Sequence, residues 1–253
     1  MAALGDLPEG AVSTLIHAGF PTQDQVDHMG EAEYVADVEM LREQMLSALD
    51  RLGPTDVIYL SSGAATSVER GLDVAPRTRT YGAAKLDDEQ AFREVTTAQG
   101  GRLCIVRAFA LSGPYMTKPE SYALGNMIFQ AARRGSVDVR AAHPARRSYM
   151  AIDDMLGVAL HAVGGLPAGE TVTFETAGEV VEMGDLASRV LGVMGFDPAA
   201  VVRPEFNPGA PADDYLGDPV IVGRLAAAAG VAPASLDDQI AVTARWLCGE
   251  YGL

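Results

Sequence analysis

DVIYLSS, residues 56–62, is an apolar run closed by two small hydroxyl residues, and it reads as a buried strand that stops at a turn. On its N-terminal side, Val38, Leu41, Met45 and Leu49 recur at helical spacing, with acids early and Arg51 late, and Gly53-Pro54 ends that helix (33–52). Further upstream, STLIHAG (13–19) is a second short apolar strand. Downstream, a helix from about Tyr81 to Gln99 precedes the strand RLCIVRAF (102–109). Strand, helix, strand, helix, strand is the pattern of a parallel sheet with crossover helices. Beyond Phe109 the alternation turns irregular. Leu124, Met127, Ile128 and Ala131 give a helix, an Arg-rich stretch follows, and a second helix covers 152–163. ETVTFET (170–176) and VVRPEF (201–206) read as strands around a helix near 184–194, and 207–219 as a Pro/Gly/Asp-rich loop. Two helices close the chain, the last with Leu236, Ile240, Leu247 and Tyr251 on one stripe and Trp246 beside it.

The 253 residues, 48% hydrophobic, are enough for one sizeable core or a core with a small lobe. Thirty-four acids against nineteen bases give a net charge of −15, which repels nucleic acid and anionic lipid, so neither is an expected partner. No run approaches the roughly 18 apolar residues of a membrane span, and MAALGDLPEG lacks the n- and h-regions of a signal peptide. A cytoplasmic location is the expectation. Cys104 and Cys248 have no paired spacing, and His17, His28, His143 and His161 show no metal spacing, so two buried thiols and no metal site are expected.

The residues best suited to chemistry are Ser61-Ser62 at the strand end and Tyr81-Gly-Ala-Ala-Lys85 on the following helix. A lysine four residues after a tyrosine shares its helical face, and its ammonium lowers the phenol's pKa toward a value useful for proton transfer. A serine hydroxyl from the strand end can hydrogen-bond the same substrate oxygen. With eight Tyr and two Lys in the chain, chance gives about 0.06 such pairs. The alternative is a surface i,i+4 pair. Residues 131–150 hold Arg133, Arg134, Arg140, Arg146 and Arg147 against Asp138 alone. Guanidinium groups in such a patch suit an anion; Arg133 and Arg134 read better as a solvated helix end, Arg147 as the site. Asp153 and Asp154 read as caps of the helix they open.

These landmarks resemble the extended short-chain dehydrogenase/reductases, NAD-dependent epimerase/dehydratases of the nucleotide-sugar branch. The resemblance spans nearly the whole chain: LIHAG (15–19), VIYLSSGAAT (57–66), YGAAKLDDE (81–89), VRAFALSGPY (106–115), ALGNMIFQAARRG (123–135), RRSYMAIDD (146–154) and LDDQIAVTARW (236–246). It implies an α/β fold: a truncated Rossmann-like parallel sheet in 1–120, lacking the first βαβαβ unit, and an α/β substrate lobe in 121–253 with elements returning to the core. It implies Ser62, Tyr81 and Lys85 as the catalytic triad, Arg147 as the grip on a substrate diphosphate and Asn126 as a second substrate contact. His17 lies at a strand end where the family places the cofactor, and a structural histidine is the equal alternative.

Two departures follow from the comparison. The glycine-rich segment that binds the dinucleotide pyrophosphate is not found upstream of residue 13, and GGLPAG (164–169) lies between a helix and a strand, the wrong order for it. Ala110 stands where the family has an asparagine. The expected cofactor is thus none, or weakly bound NAD(P), and the expected ligand an anionic small molecule, a sugar nucleotide. The expected activity is an epimerase/dehydratase with a Ser-Tyr-Lys acid/base site. The alternatives are a degenerate member acting as binding module or partner subunit, and an incomplete reading frame. Without the missing unit, strand 13–19 becomes a sheet edge with no Lys or Pro to blunt it. A homodimer, or the first twelve residues folding back, is expected to cover it.

Overall fold

The computed structural model describes Gly10 and residues 12–253. In chain order its elements are β1 (Thr14–His17), α1 (Gln23–Met29), α2 (Glu31–Leu52), β2 (Asp56–Ser62), α3 (Gly63–Glu69), α4 (Pro76–Ala98), β3 (Leu103–Ala108), β4 (Ala110–Ser112), α5 (Ala123–Arg134), β5 (Val137–Asp138), β6 (Ala145–Ala151), α6 (Ile152–Gly165), β7 (Thr171–Glu175), β8 (Glu179–Glu182), α7 (Met183–Val193), β9 (Val201–Val202), β10 (Asp213–Tyr215), α8 (Pro219–Ala229) and α9 (Leu236–Tyr251). Most of the first twelve residues, expected as a possible cover for the sheet edge, lie outside the described part. The chain forms two compact units: one of residues up to Ala108 with Gly157–Glu175 and Val220–Leu225, the other of Phe109–Leu156, Thr176–Pro219 and Ala226–Leu253.

The first unit is the parallel α/β layer expected from the alternation of strands and helices. Its sheet runs β1-β2-β3-β7, every pair parallel. Leu15, Val57, Tyr59, Leu103 and Ile105 point to one face, where Leu49 of α2 and Phe92 of α4 complete a buried cluster. Burying each of these large side chains contributes about 1.5–3 kcal/mol, which sets the register: a one-residue slip would turn them all to the other face. α2 stops where expected, at Gly53, whose φ of +74° suits glycine and whose N–H returns to Leu49 O.

Two short helices, α1 and α3, escape the sequence reading because neither spans enough turns to show a period. α4 begins at Pro76 rather than near Tyr81, since proline fits the first helical position and the polar run to Thr80 hides the periodicity.

The second unit is built on helices α5, α7 and α9, whose Leu124, Ile128, Leu186, Val190, Leu191, Leu236, Ile240 and Leu247 share one buried cluster. β6 is its central strand, pairing β4 and β10 in parallel and β8 in antiparallel fashion. Several local expectations are corrected here. The Arg-rich stretch contains strand β6, VVRPEF is strand only over Val201–Val202, and β10 lies inside the expected loop 207–219. Each is a short or charged strand, stabilised by neighbours rather than by its own pattern. Asp153 and Asp154 sit in the first turn of α6 and not ahead of it, and Asp154 accepts the backbone N–H of Ala234 at 2.8 Å. Gly113 has φ +137° and leaves no room for a Cβ beside Ile152; its N–H donates to Thr243 Oγ1 (2.9 Å), which ties α9 to the end of β4.

Candidate active site

In the first unit the chemistry-bearing side chains come from α4 and the end of β2. Tyr81, Lys85, Asp88 and Glu89 follow helical spacing and share a face. Gly82 allows α4 to close on α3, because a Cβ there would collide with the carbonyl oxygen of Ala64. Three successive β2 residues then each receive one contact from α4. Tyr59 Oη donates to Asp88 (3.2 Å), Lys85 Nζ donates to Leu60 O (2.9 Å), and Ser61 Oγ donates to Glu89 (2.5 Å).

Lys85 is 3% exposed. Its Nζ stands 3.6 Å from the centroid of the Phe20 ring, 5.0 Å from Tyr59 and 5.9 Å from Tyr81. Burial pulls its pKa down to about 7, against the opposing pull of Asp88 and Glu89. Burial likewise pushes Asp88 above its ordinary range, although Arg42 at 3.1 Å and Lys85 oppose it. Glu89 is held by Arg107 through three hydrogen bonds of 2.9, 3.3 and 2.7 Å, and Arg107 also reaches Glu69.

The other expected site residues are less simply placed. Ser62 Oγ accepts the N–H of Ala64 (3.2 Å) as the cap of α3; a hydroxyl that accepts there can still donate its own proton. Tyr81 is half-buried, and its ring meets Phe20 edge-on at 5.7 Å. His17 is 9% exposed and stacks on Phe92 (5.1 Å) and Tyr59 (5.6 Å); burial, then Lys85, lowers its pKa to about 4, so it is neutral at physiological pH.

In the second unit, Asn126 on α5 accepts from Gln130 (2.5 Å) and donates to Glu120 O (3.2 Å). Arg147 on β6 binds the Asp213 carboxylate and backbone carbonyl, each at 2.9 Å, and its neighbour Arg146 takes Asp214 in a fork. Arg134 pairs with Asp138 and Arg133 lies over the Phe129 ring, which suits a helix end. Ala110 packs beside the apolar cluster, where an asparagine would carry a polar group. Cys104 is buried, its thiol pushed up to about 12, while Cys248 is only half-buried; both are free. Among the described residues no cluster has the makings of a metal site, and no helix is long and apolar enough to cross a membrane.

Phe20, Asp88 and Glu89 were not singled out from the sequence. The two acids carry a usable signal, standing three and four residues after a buried lysine. Phe20 carries none, since its proximity to Lys85 is wholly tertiary.

The model of the NAD dependent epimerase/dehydratase family matches residues 3–173. No curated protein matches. Among solved structures, RMD from Pseudomonas aeruginosa complexed with NADPH superposes with a TM-score of 0.76 at 18% identity, covering 98% of this chain and 85% of that one. UDP-glucose 4-epimerase from Thermotoga maritima with UDP-glucose gives 0.71 at 18%, covering 94% and 78%. DesIV, a dTDP-glucose 4,6-dehydratase from Streptomyces venezuelae, gives 0.70 at 20%, covering 98% and 77%. At these identities the superpositions speak to the fold, which is Rossmann-like, and the sequence match speaks to descent. With more than half of its length matched by that model, the chain belongs to the NAD dependent epimerase/dehydratase family.

Proposed function

We propose that this protein modifies a nucleotide sugar by proton transfer at Tyr81, assisted by Ser62 and Lys85, without the usual tight NAD. The observation that carries the reading is Lys85, a buried amine pulled down to about 7 and set one helical turn from Tyr81 at the end of β2. In its ammonium form such a neighbour favours the phenolate. Tyr81 takes the proton from a carbon next to a carbonyl, the electron pair moves into an enolate, and the Ser62 hydroxyl donates to the enolate oxygen. Protonation of that carbon on the other face by a solvent water, whose hydroxide then takes the proton from Tyr81, is epimerisation; loss of a β-hydroxyl, which leaves as water with the proton that Tyr81 gained, is dehydration.

The described residues do not fit the diphosphate of a dinucleotide. The turn after β1, residues 18–22, has the single Gly19 and leads into a helix of seven residues, and the turn after β2 carries Ser62-Gly63. Neither offers the row of backbone N–H groups that a glycine-rich turn supplies. The proposed chemistry therefore uses side chains of this chain alone. Without a hydride acceptor an ordinary sugar C–H is not acidified, so the substrate has to arrive already oxidised, as a nucleotide-activated keto-sugar. In the second unit Arg147 is the proposed diphosphate contact, which has to give up Asp213, and Asn126 is a further one.

A second reading, a binding module without turnover, is favoured by the same pairing of Arg147 with Asp213 and by the ring of Phe20 on Lys85. Calorimetric titration with UDP-glucose, dTDP-glucose, NAD(H) and NADP(H) tests the ligand class. Heat from a nucleotide sugar and none from the dinucleotides is expected; a dinucleotide dissociation constant in the low micromolar range or better overturns the proposal.

A further inference from the structure

An ammonium carries three N–H bonds. On Lys85, Leu60 O takes one at 2.9 Å, and the face of Phe20, 3.6 Å from Nζ at its centroid, closes off another direction. That separation is contact distance for a cation on a ring face and leaves no room for a ligand oxygen between them. The ring is braced rather than loosely placed: it meets Tyr81 edge-on and packs against the cluster of Val26, Tyr34, Val38 and Ala84.

The chain around Phe20 has the build of a short hinge. Behind it, Ala18 and Gly19 are exposed, while ahead of it Pro21 O is pinned by the hydroxyl of the buried Tyr34 (2.9 Å) and Thr22 caps α1. The segment between His17 and Pro21 thus carries one large apolar side chain on a backbone fixed at both ends and solvated in the middle. Such segments open locally at a cost well below that of global unfolding.

We propose that Phe20 is a gate residue: its ring seals the Lys85 amine, and any ligand atom that engages Nζ enters by displacing the ring, with residues 18–20 as the hinge. The gate would explain how a lysine so fully buried serves a site that must admit a substrate. It rests on the proposed role of Lys85 for that consequence, but not for its test.

The chain has two lysines, buried Lys85 and exposed Lys118, so the second is an internal standard for the first. Acetic anhydride labelling, followed peptide by peptide by mass spectrometry across pH, gives a midpoint that reports the amine's pKa. The plateau at high pH reports access alone. In Phe20→Ala the Lys85 plateau relative to Lys118 is expected to rise about tenfold, which corresponds to ~1.4 kcal/mol. In Tyr34→Phe, which frees Pro21 O while leaving the ring in place, and in Phe20→Leu, a smaller rise of about threefold is expected. Circular dichroism establishes folding. A folded Phe20→Ala with an unchanged plateau ratio overturns the gate; if that variant does not fold, unchanged ratios in Phe20→Leu and Tyr34→Phe overturn it equally. A raised ratio beside a Tyr81→Phe variant of normal turnover would keep the gate and dismiss the catalytic reading.

Discussion

Replacing Glu89 by alanine should destabilise the first unit severely. Its carboxylate is buried, accepts from Ser61 at 2.5 Å, and takes Arg107 Nε at 2.9 Å and Nη2 at 2.7 Å. Without it, the guanidinium of Arg107, only 9% exposed, keeps as its charged partner Glu69, 55% exposed and hence well solvated, beside a long hydrogen bond to Thr66 Oγ1 (3.4 Å). Ser61 meanwhile loses its acceptor. Removing one partner of a buried ion pair costs about 3–5 kcal/mol, because the remaining charge stays desolvated. Exposed pairs such as Arg77–Asp27 offer a contrast, being worth under about 1 kcal/mol. For a chain of this size a loss of about 4 kcal/mol corresponds to a fall in Tm of about 12 °C. Thermal melts and urea unfolding of wild type, Glu89→Ala and Glu89→Gln measure it, with Gln retaining shape and some hydrogen bonding and losing about half as much. A Glu89→Ala loss below about 1 kcal/mol would refute the view that this network anchors the end of β2.

Other consequences are equally open to measurement. His17, with its pKa lowered to about 4 from 6.5, binds its proton more readily in the unfolded chain. Its stability contribution is full above about 6.5 and lost as pH falls to about 4; the loss is on the order of 3 kcal/mol. Acid titration of stability in His17→Phe should show that dependence flattened, and an unaltered curve would contradict it. Lys85 behaves alike at higher pH: stability rises as pH climbs from about 7 to 10.5, and the rise should vanish in Lys85→Met. Strand β1 is the edge of its sheet among the described residues, with Ile16 44% exposed. Light scattering is expected to show a dimer at micromolar concentration that Ile16→Lys dissociates. A monomeric wild type with fast amide exchange over Thr14–His17 would exclude that edge as the interface.

The parallel layer was legible because its strands are continuous apolar runs, DVIYLSS and LCIVRA, separated by helices long enough to display a period. The C-terminal stripe of Leu236, Ile240 and Leu247 was legible for the same reason. β6 was not, since ARRSYMA sets two adjacent arginines before residues whose burial is settled by β4, β8 and β10. At the site, the pairing of Tyr81 with Lys85 could be read because it is local to one helix. The contacts that define Lys85's surroundings could not: Phe20 is 65 residues away in sequence and Leu60 is 25. Arg147 shows the reverse limit. Its sequence marks it as a free cation beside other arginines, while the fold gives it Asp213 from a loop where no strand was expected.

Hydrogen exchange at carbon tests the central claim most directly. A nucleotide-activated 4-keto-sugar is incubated with the protein in deuterium oxide and the protons next to the carbonyl are followed by NMR. If Tyr81 moves a proton at that carbon, wild type incorporates deuterium, with epimer or dehydration product appearing alongside. Tyr81→Phe then slows incorporation by about a hundredfold or more, and Lys85→Met slows it through the phenol's pKa. Incorporation by both variants at the wild-type rate, or none by wild type while the nucleotide sugar is bound, would contradict the account.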